Sequence, residues 1–218
     1  MTRATASRAR VFRFHRPLAR YFRRRRLQAF RDRFRVGPQT RVLDVGGYAY
    51  YWSFLDEPPA VTILNIEPPV EGTGSFDWVV ADAARLPFRD NAFEIVFSNS
   101  LLEHIADDGA REAFAAEARR VGRHYCVQTP NRWFPVEPHL LTPFIHYLPA
   151  RLQRKLVRNF TVWGWLTRPS AAEAAGFLDL TRLLDRAEMR KLFPQASILR
   201  ERFLGMTKSF IAVDSSEK

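Results

Sequence analysis

The sequence predicts a doubly wound α/β domain on a mostly parallel sheet, and three observations carry that expectation. From Arg41 onward, apolar runs of strand length alternate with turn clusters and with stretches of helical spacing. Most of these runs are apolar throughout rather than alternating, as strands covered on both faces are. The last two, Ser197 to Phe203 and Lys208 to Val213, are separated by a short gap containing Leu204 and Gly205, which suits an antiparallel closing pair. A length of 218 residues, 46% hydrophobic and 26% charged, fits one ordinary domain with additions or at most two small ones. It allows a useful core, and no run of about 18 apolar residues exists to span a bilayer. Integral membrane, collagenous and wholly disordered chains are excluded.

Residues 1 to about 15 are rich in Arg, Ala and Ser without an apolar period and are expected to be mobile. From Pro17 onward Leu18, Phe22, Leu27, Phe30 and Phe34 recur every three to five residues, close to one face of a helix, with Arg23 to Arg26 and Arg31 around the rest. The favoured reading is an amphipathic helix docked on the domain with its arginines in solvent. This arm, residues 1–35, precedes a body of residues 36–218.

In the body, Arg41 to Val45 reads as a strand ending at Gly46-Gly47, Val61 to Ile66 as a second ending in Glu67, and Trp78 to Val80 as a short third ending near Asp82. Phe93 to Phe97 and Tyr125 to Thr129 are the fourth and fifth. Between them Asp107 to Val121 carries Ala110, Phe114, Ala118 and Val121 at helical spacing. Residues 131–180 break the alternation. Together with Pro130 they hold six of the 14 prolines, along with Trp133, Trp163 and Trp165. Long connections in compact domains are usually lids or binding elements, so this stretch reads as a largely helical insertion over the carboxyl ends of the strands, where open sheets bind ligands. Leu183 to Phe193 reads as a helix before the closing pair.

The net charge of +11 is localised. Residues 1–41 contain 14 arginines against one acid, Asp32, which leaves the rest of the chain close to neutral. A basic amphipathic helix can bind an anionic membrane surface or phosphate on RNA. Arginine without a base-reading motif is a weak nucleic-acid signal. The single cysteine, Cys126, excludes an intramolecular disulfide and reads as an apolar filler of the fifth strand. With no continuous apolar stretch at the N-terminus, a reducing, cytoplasmic compartment is the expectation. The sequence specifies no oligomeric state.

Val42-Leu43-Asp44-Val45-Gly46-Gly47 is a strand running into a glycine turn, where a ligand can approach the backbone closely. Glu67 ends the next strand about 20 residues on, where a carboxylate can accept the hydroxyls of a ribose. Asp82 ends the third. A lone carboxylate is usually a solvated strand end, but three at successive strand ends around one glycine turn point to a ligand.

These residues, with Asp82-Ala83-Ala84-Arg85-Leu86-Pro87-Phe88, Phe93-Glu94-Ile95-Val96 and Glu103-His104, resemble the class I S-adenosylmethionine-dependent methyltransferases. The likeness is to a large bacterial group with Asp-x-x-x-Leu-Pro-Phe, Phe-Asp-x-Val and Glu-His signatures, and it runs from about Arg41 to Asn131. The resemblance implies a Rossmann-like seven-stranded sheet with an antiparallel last strand, and S-adenosyl-L-methionine as cofactor. It implies Asp44, Gly46 and Gly47 beside the methionine part, Glu67 on the ribose, Asp82 with Ala83 near the adenine, and Ser98 among the cofactor-binding positions. Two departures stand out. The glycine turn continues as Tyr48-Ala49-Tyr50 without a later glycine, and Glu94 replaces the aspartate of the fourth strand. Gln128 to His139 also looks like a segment of a bacterial subgroup of these enzymes.

Methyl transfer needs an acceptor held in line and water kept out, and a base when the acceptor is a hydroxyl. His104 and His139 are the candidate bases, each with an equally weighted structural role, and Glu137 could orient His139. No metal set is read: Asp107 and Asp108 near His104 fit a helix cap more simply. Trp133, Phe134, Phe144, Tyr147, Trp163 and Trp165 are either an acceptor pocket or the packing of the insertion. The expected function is O-methylation of a small-molecule, glycan or lipid-linked hydroxyl. An RNA methyltransferase and a non-catalytic membrane- or partner-binding module of the same fold are the alternatives.

Overall fold

The computed structural model describes residues 20–69, 76–105 and 107–214. The expectation for residues 1–15, and Leu18 of the apolar stripe, lie outside the described residues. Helix α1 covers residues 20–34. Five parallel strands follow: β1 (Arg41–Val45), β2 (Ala60–Asn65), β3 (Asp77–Val80), β4 (Phe93–Asn99) and β5 (Gly122–Pro130). The chain closes with β8 (Ser197–Phe203) and β9 (Met206–Val213), and the order across the sheet is β3-β2-β1-β4-β5-β9-β8. Strand β9 runs antiparallel to both neighbours. This is the Rossmann-like seven-stranded sheet with an antiparallel last strand that the sequence resemblance implies.

Strand alternation explains the two core layers. Leu43, Val45, Leu64, Val96 and Val127 point to one face, where helix α3 (Asp108–Val121) and helix α7 (Arg186–Leu192) cover them with Phe114, Ala118, Met189 and neighbouring Phe193. Val42, Ile63, Ile95, Phe97 and Cys126 point to the other, covered by Leu27 and Phe30 of α1 and by Tyr51 and Trp52 of the single-turn helix α2 (Ala49–Trp52). Helix α1 is therefore one wall of the core. Asp107 caps α3 by accepting from the Ala110 N–H at 2.8 Å, as the Asp pair suggested.

Two expectations need correction. Not every arginine of α1 is in solvent: Arg26 is buried, because the stripe face turns it toward polar partners on the sheet. The helix expected from Leu183 starts at Arg186, because Asp185 forms a capping box with Glu188. Leu184 stays extended, its carbonyl accepting from the Arg132 N–H at 2.9 Å.

Residues 131–180 contain a small hairpin, β6 (Val136–Glu137) with β7 (Thr142–Pro143), and helices α4 (Ala150–Leu156), α5 (Val162–Thr167) and α6 (Ala171–Asp179). They pack on their own small core of Leu140, Ile145, Val157 and Ala174, with Trp163 stacked on Phe177. The helical expectation holds except for the hairpin. Strand order reverses between β1, which leads to β2 and β3, and β4, which lies on its other side. That switch point is where open α/β sheets place a ligand, outside the carboxyl ends of the strands.

Candidate active site

The turn after β1 stands at the switch point. Gly46 has φ +78°, a left-handed conformation that favours glycine, and its N–H donates to the Leu64 carbonyl at 2.7 Å. A Cβ at Gly47 would overlap the Asp44 carboxylate, which lies against the glycine's α-carbon. Asp44 is buried. Its Oδ2 accepts from Trp52 Nε1 at 2.8 Å, while Oδ1 has no partner among the described residues. Burial pushes this carboxyl up to about 7, against which the Trp52 bond works. A buried acceptor left open is costly unless a donor arrives.

The other residues singled out by sequence are placed as follows. Glu67 is exposed, two residues past the end of β2, and its carbonyl accepts from Trp78 Nε1 at 3.2 Å. Asp82 is exposed after β3 and accepts from the Ala84 N–H at 2.9 Å, with Ala83 partly buried between them. Ser98 is wholly buried, and its hydroxyl donates to the Val45 carbonyl at 2.9 Å, so it ties β4 to β1 beneath the turn. Neighbouring strands lie about 4.8 Å apart, so Asp82, Glu67 and the glycine turn form a row along the carboxyl edge of β3, β2 and β1. Tyr48 is 44% exposed, and Tyr50 turns toward α1, with the Arg23 guanidinium 5.4 Å from its ring centre. Asn65 was not foreseen: its Nδ2 donates to the Gly47 carbonyl at 3.1 Å and fixes the turn from β2.

The row continues past β4. The 3-10 turn Leu102–His104 carries Glu103, fully buried, whose Oε2 accepts from the Thr129 hydroxyl of β5 at 2.9 Å. Its Oε1 has no hydrogen-bond partner among the described residues. His139, from the insertion, brings Nε2 to 4.0 Å from that oxygen. Its Nδ1 lies 2.8 Å from Glu137 Oε1. The His104 and His139 ring centres are 4.9 Å apart, edge to face. The structure thus brings the two candidate histidines together, with Glu137 orienting His139.

The electrostatics follow from burial and pairing. Burial pushes Glu103 up, only partly opposed by His139. Burial also acts against the charge on Glu137, but the His139 contact outweighs it and holds that carboxyl below its ordinary value. Burial pulls His139 down, and the attraction of Glu137 more than offsets it, leaving the imidazole above its ordinary value. An ionised Glu137 can only accept, so Nδ1 carries a proton and Nε2 of the neutral ring is the basic nitrogen.

A third set of contacts closes the edge. Arg26 of α1 reaches Glu201 of β8 through Nη2 to Oε2 at 2.7 Å and Nε to Oε1 at 3.2 Å. Its Nη1 donates to Gln128 Oε1 of β5 at 3.1 Å and to Asn99 Oδ1 of β4. No sequence motif marks this network, because its members come from four separate elements.

Comparison with known proteins agrees with the fold. Residues 55–125 match the family described as a methyltransferase domain. An uncharacterised protein of Mycobacterium tuberculosis is 29% identical over 172 residues, covering 66% of this chain and 58% of that one. The chain therefore spans little more than half the length of that relative. The ubiquinone/menaquinone biosynthesis C-methyltransferase UbiE of Desulfotalea psychrophila is 36% identical over 75 residues, 33% of this chain and 28% of its own. Among solved structures, 1,6-didemethyltoxoflavin-N1-methyltransferase of Burkholderia thailandensis, with bound 1,6-didemethyltoxoflavin and S-adenosylhomocysteine, superposes with a TM-score of 0.55 at 13% identity. That superposition covers 96% of this chain and 86% of the other.

Proposed function

We propose that this chain is a class I S-adenosylmethionine-dependent methyltransferase that uses S-adenosyl-L-methionine to methylate an acceptor held beside His104 and His139, a reading supported by the methyltransferase-domain match over residues 55–125 and by the shared fold. The residues present fit that cofactor. The open Asp44 Oδ1, pressed on Gly47, suits the cationic ammonium of an amino-acid tail, and the exposed carboxylates of Glu67 and Asp82 suit the hydroxyls of a ribose and the edge of an adenine. Ala83 packs beside Asp82, and Ser98 holds the turn from below. When bound, the cofactor supplies an activated sulfonium methyl.

The protein's own part is positioning and proton handling. His139 Nε2, with Glu137 fixing the ring through Nδ1, can take the proton of an acceptor hydroxyl as the new bond forms. His104 is the second candidate, on the exposed side of the pair. Residues 131–180 act as the acceptor's cap and keep water from it. This supports O-methylation of a small molecule, glycan or lipid-linked hydroxyl. The arm of residues 1–35 adds an anionic-surface contact, and the single buried thiol Cys126 suits a reducing cytoplasm. Among the described residues no helix is long and apolar enough to cross a membrane.

The observations that carry this reading are the glycine turn with Asp44 at the carboxyl end of β1 and the His139–Glu137 pair brought from the insertion against Glu103, just past β4. Its test is transfer of a labelled methyl group from the cofactor to fractionated extracts. Label in a small hydroxylated acceptor, reduced at least tenfold by His139→Ala, is the expected result. Label in RNA, or cofactor binding without transfer to any fraction, would overturn it.

A further inference from the structure

We propose that Glu103, His104 and His139 form a binding site for a divalent transition-metal ion. The inference goes beyond methyl transfer and does not depend on it. The three residues offer one carboxylate oxygen and two imidazole nitrogens, all within 4.8 Å of one another. A two-histidine, one-carboxylate set with positions left over is the donor pattern of open catalytic zinc and non-haem iron sites.

Three independent features point the donors at a common place. Glu103 is fully buried, and Thr129 occupies Oε2, so the unpartnered atom is Oε1, the one that faces His139. His139 is held through Nδ1 by Glu137, a histidine–carboxylate arrangement that fixes the tautomer and leaves Nε2 for a ligand. His104 stands on the exposed side of the cluster, which gives an ion a path in from solvent.

The donor atoms stand slightly farther apart than ligands of one ion do. Ligand atoms about 2.0–2.2 Å from one four- or five-coordinate ion lie about 3.0–3.6 Å apart, and His139 Nε2 to Glu103 Oε1 is 4.0 Å. All the donor atoms lie within 4.8 Å of one another, so gathering them round one ion needs side-chain shifts of about 1–1.5 Å at most. Two imidazoles favour zinc, cobalt, nickel or iron over magnesium or calcium, which prefer all-oxygen sites. An ion here would take up the His139 Nε2 lone pair, so the base role in the proposed function belongs to the metal-free protein.

The test uses the full chain, stripped with a chelator and titrated with Co2+, whose visible absorption reports ligand number, followed by displacement with Zn2+. One equivalent of Co2+ binding with the intense visible bands of a four- or five-coordinate ion is expected. His139→Ala and His104→Ala should each weaken it at least about tenfold. Glu103→Gln removes a buried charge, so His104→Ala, at an exposed position, guards against a mere folding defect, with unchanged thermal unfolding of the stripped variant as its check. Failure of Co2+ and Zn2+ to bind at about micromolar concentration, or binding unaffected by both histidine substitutions, would overturn the site. Cofactor binding measured on the same stripped protein reads the methyl-transfer proposal separately.

Discussion

Arg26 and Glu201 form a two-point ion pair, 2.7 Å and 3.2 Å, between the N-terminal helix and the outermost strand of the sheet. Their side chains are only 5% and 11% exposed. Glu201 also takes Lys208 Nζ at 3.2 Å, and Arg26 reaches Gln128 and Asn99. The helix is thus latched to the same sheet edge that carries the candidate site.

Breaking that latch on one side should be expensive. Arg26→Met leaves a mostly buried carboxylate with only Lys208 as counter-charge, and a loss of about 3 kcal/mol is expected. Urea unfolding of the variant measures it. Replacing exposed Arg24 and Arg25 instead should change stability by less than about 0.5 kcal/mol. If the arm binds anionic vesicles, that second variant should bind them more weakly and with a shallower salt dependence.

The Asp44 carboxyl makes stability pH-dependent. Its folded value is raised by burial to about 7, above the ordinary carboxylate value of about 4. The folded chain therefore holds a proton that the unfolded chain releases between those values. The stabilisation is complete below about pH 4 and is lost as pH rises to about 7, by at most on the order of 4 kcal/mol. Asp44→Asn should flatten that slope in unfolding measured against pH. At about pH 8 the variant should be more stable than the natural chain by on the order of 2 kcal/mol, while binding the cofactor poorly.

The glycine turn admits a sharper contrast. Gly47→Ala forces its methyl group into the Asp44 carboxylate, so it should lose cofactor binding and at least about 1 kcal/mol of stability. Gly176→Ala, in α6 with open space where the Cβ would go, should gain about 0.5–1 kcal/mol. Thermal unfolding of the two variants side by side decides this.

Removal of the arm must respect the core. Phe22, Leu27 and Phe30 are buried, and truncating Phe30 to alanine alone should cost about 3–5 kcal/mol. Deleting residues 1–35 is expected to unfold the chain, whereas deleting residues 1–19 should leave its cooperative transition in place. Circular dichroism on both truncations is the measurement.

Much of the fold is legible because the signals are local. The runs at Arg41–Val45 and Ser197–Phe203 match their strands residue for residue, and Asp107 announces its helix by a cap. Asp185-Arg186-Ala187-Glu188 could have placed the start of α7 in the same way, since an acid three residues before a glutamate is a capping pattern. The hairpin at Val136–Glu137 and Thr142–Pro143 is too short to leave a period. The carboxylates at or just past the carboxyl ends of β1, β2 and β3 are readable from sequence, whereas the pairing of Asp44 Oδ2 with Trp52, which leaves Oδ1 open, is not. The pairing of Arg26 with Glu201, and of His139 with Glu103, joins residues far apart in the chain, and no local pattern encodes it.

Calorimetric titration of the full chain with S-adenosyl-L-methionine, repeated from about pH 6 to about pH 8, bears on all of this at once. One equivalent should bind, with affinity weakening about tenfold for each pH unit below about 7 as Asp44 takes up its proton. No binding anywhere in that range, or binding by Gly47→Ala as tight as by the natural chain, would contradict a cofactor seated on the Asp44–Gly47 turn.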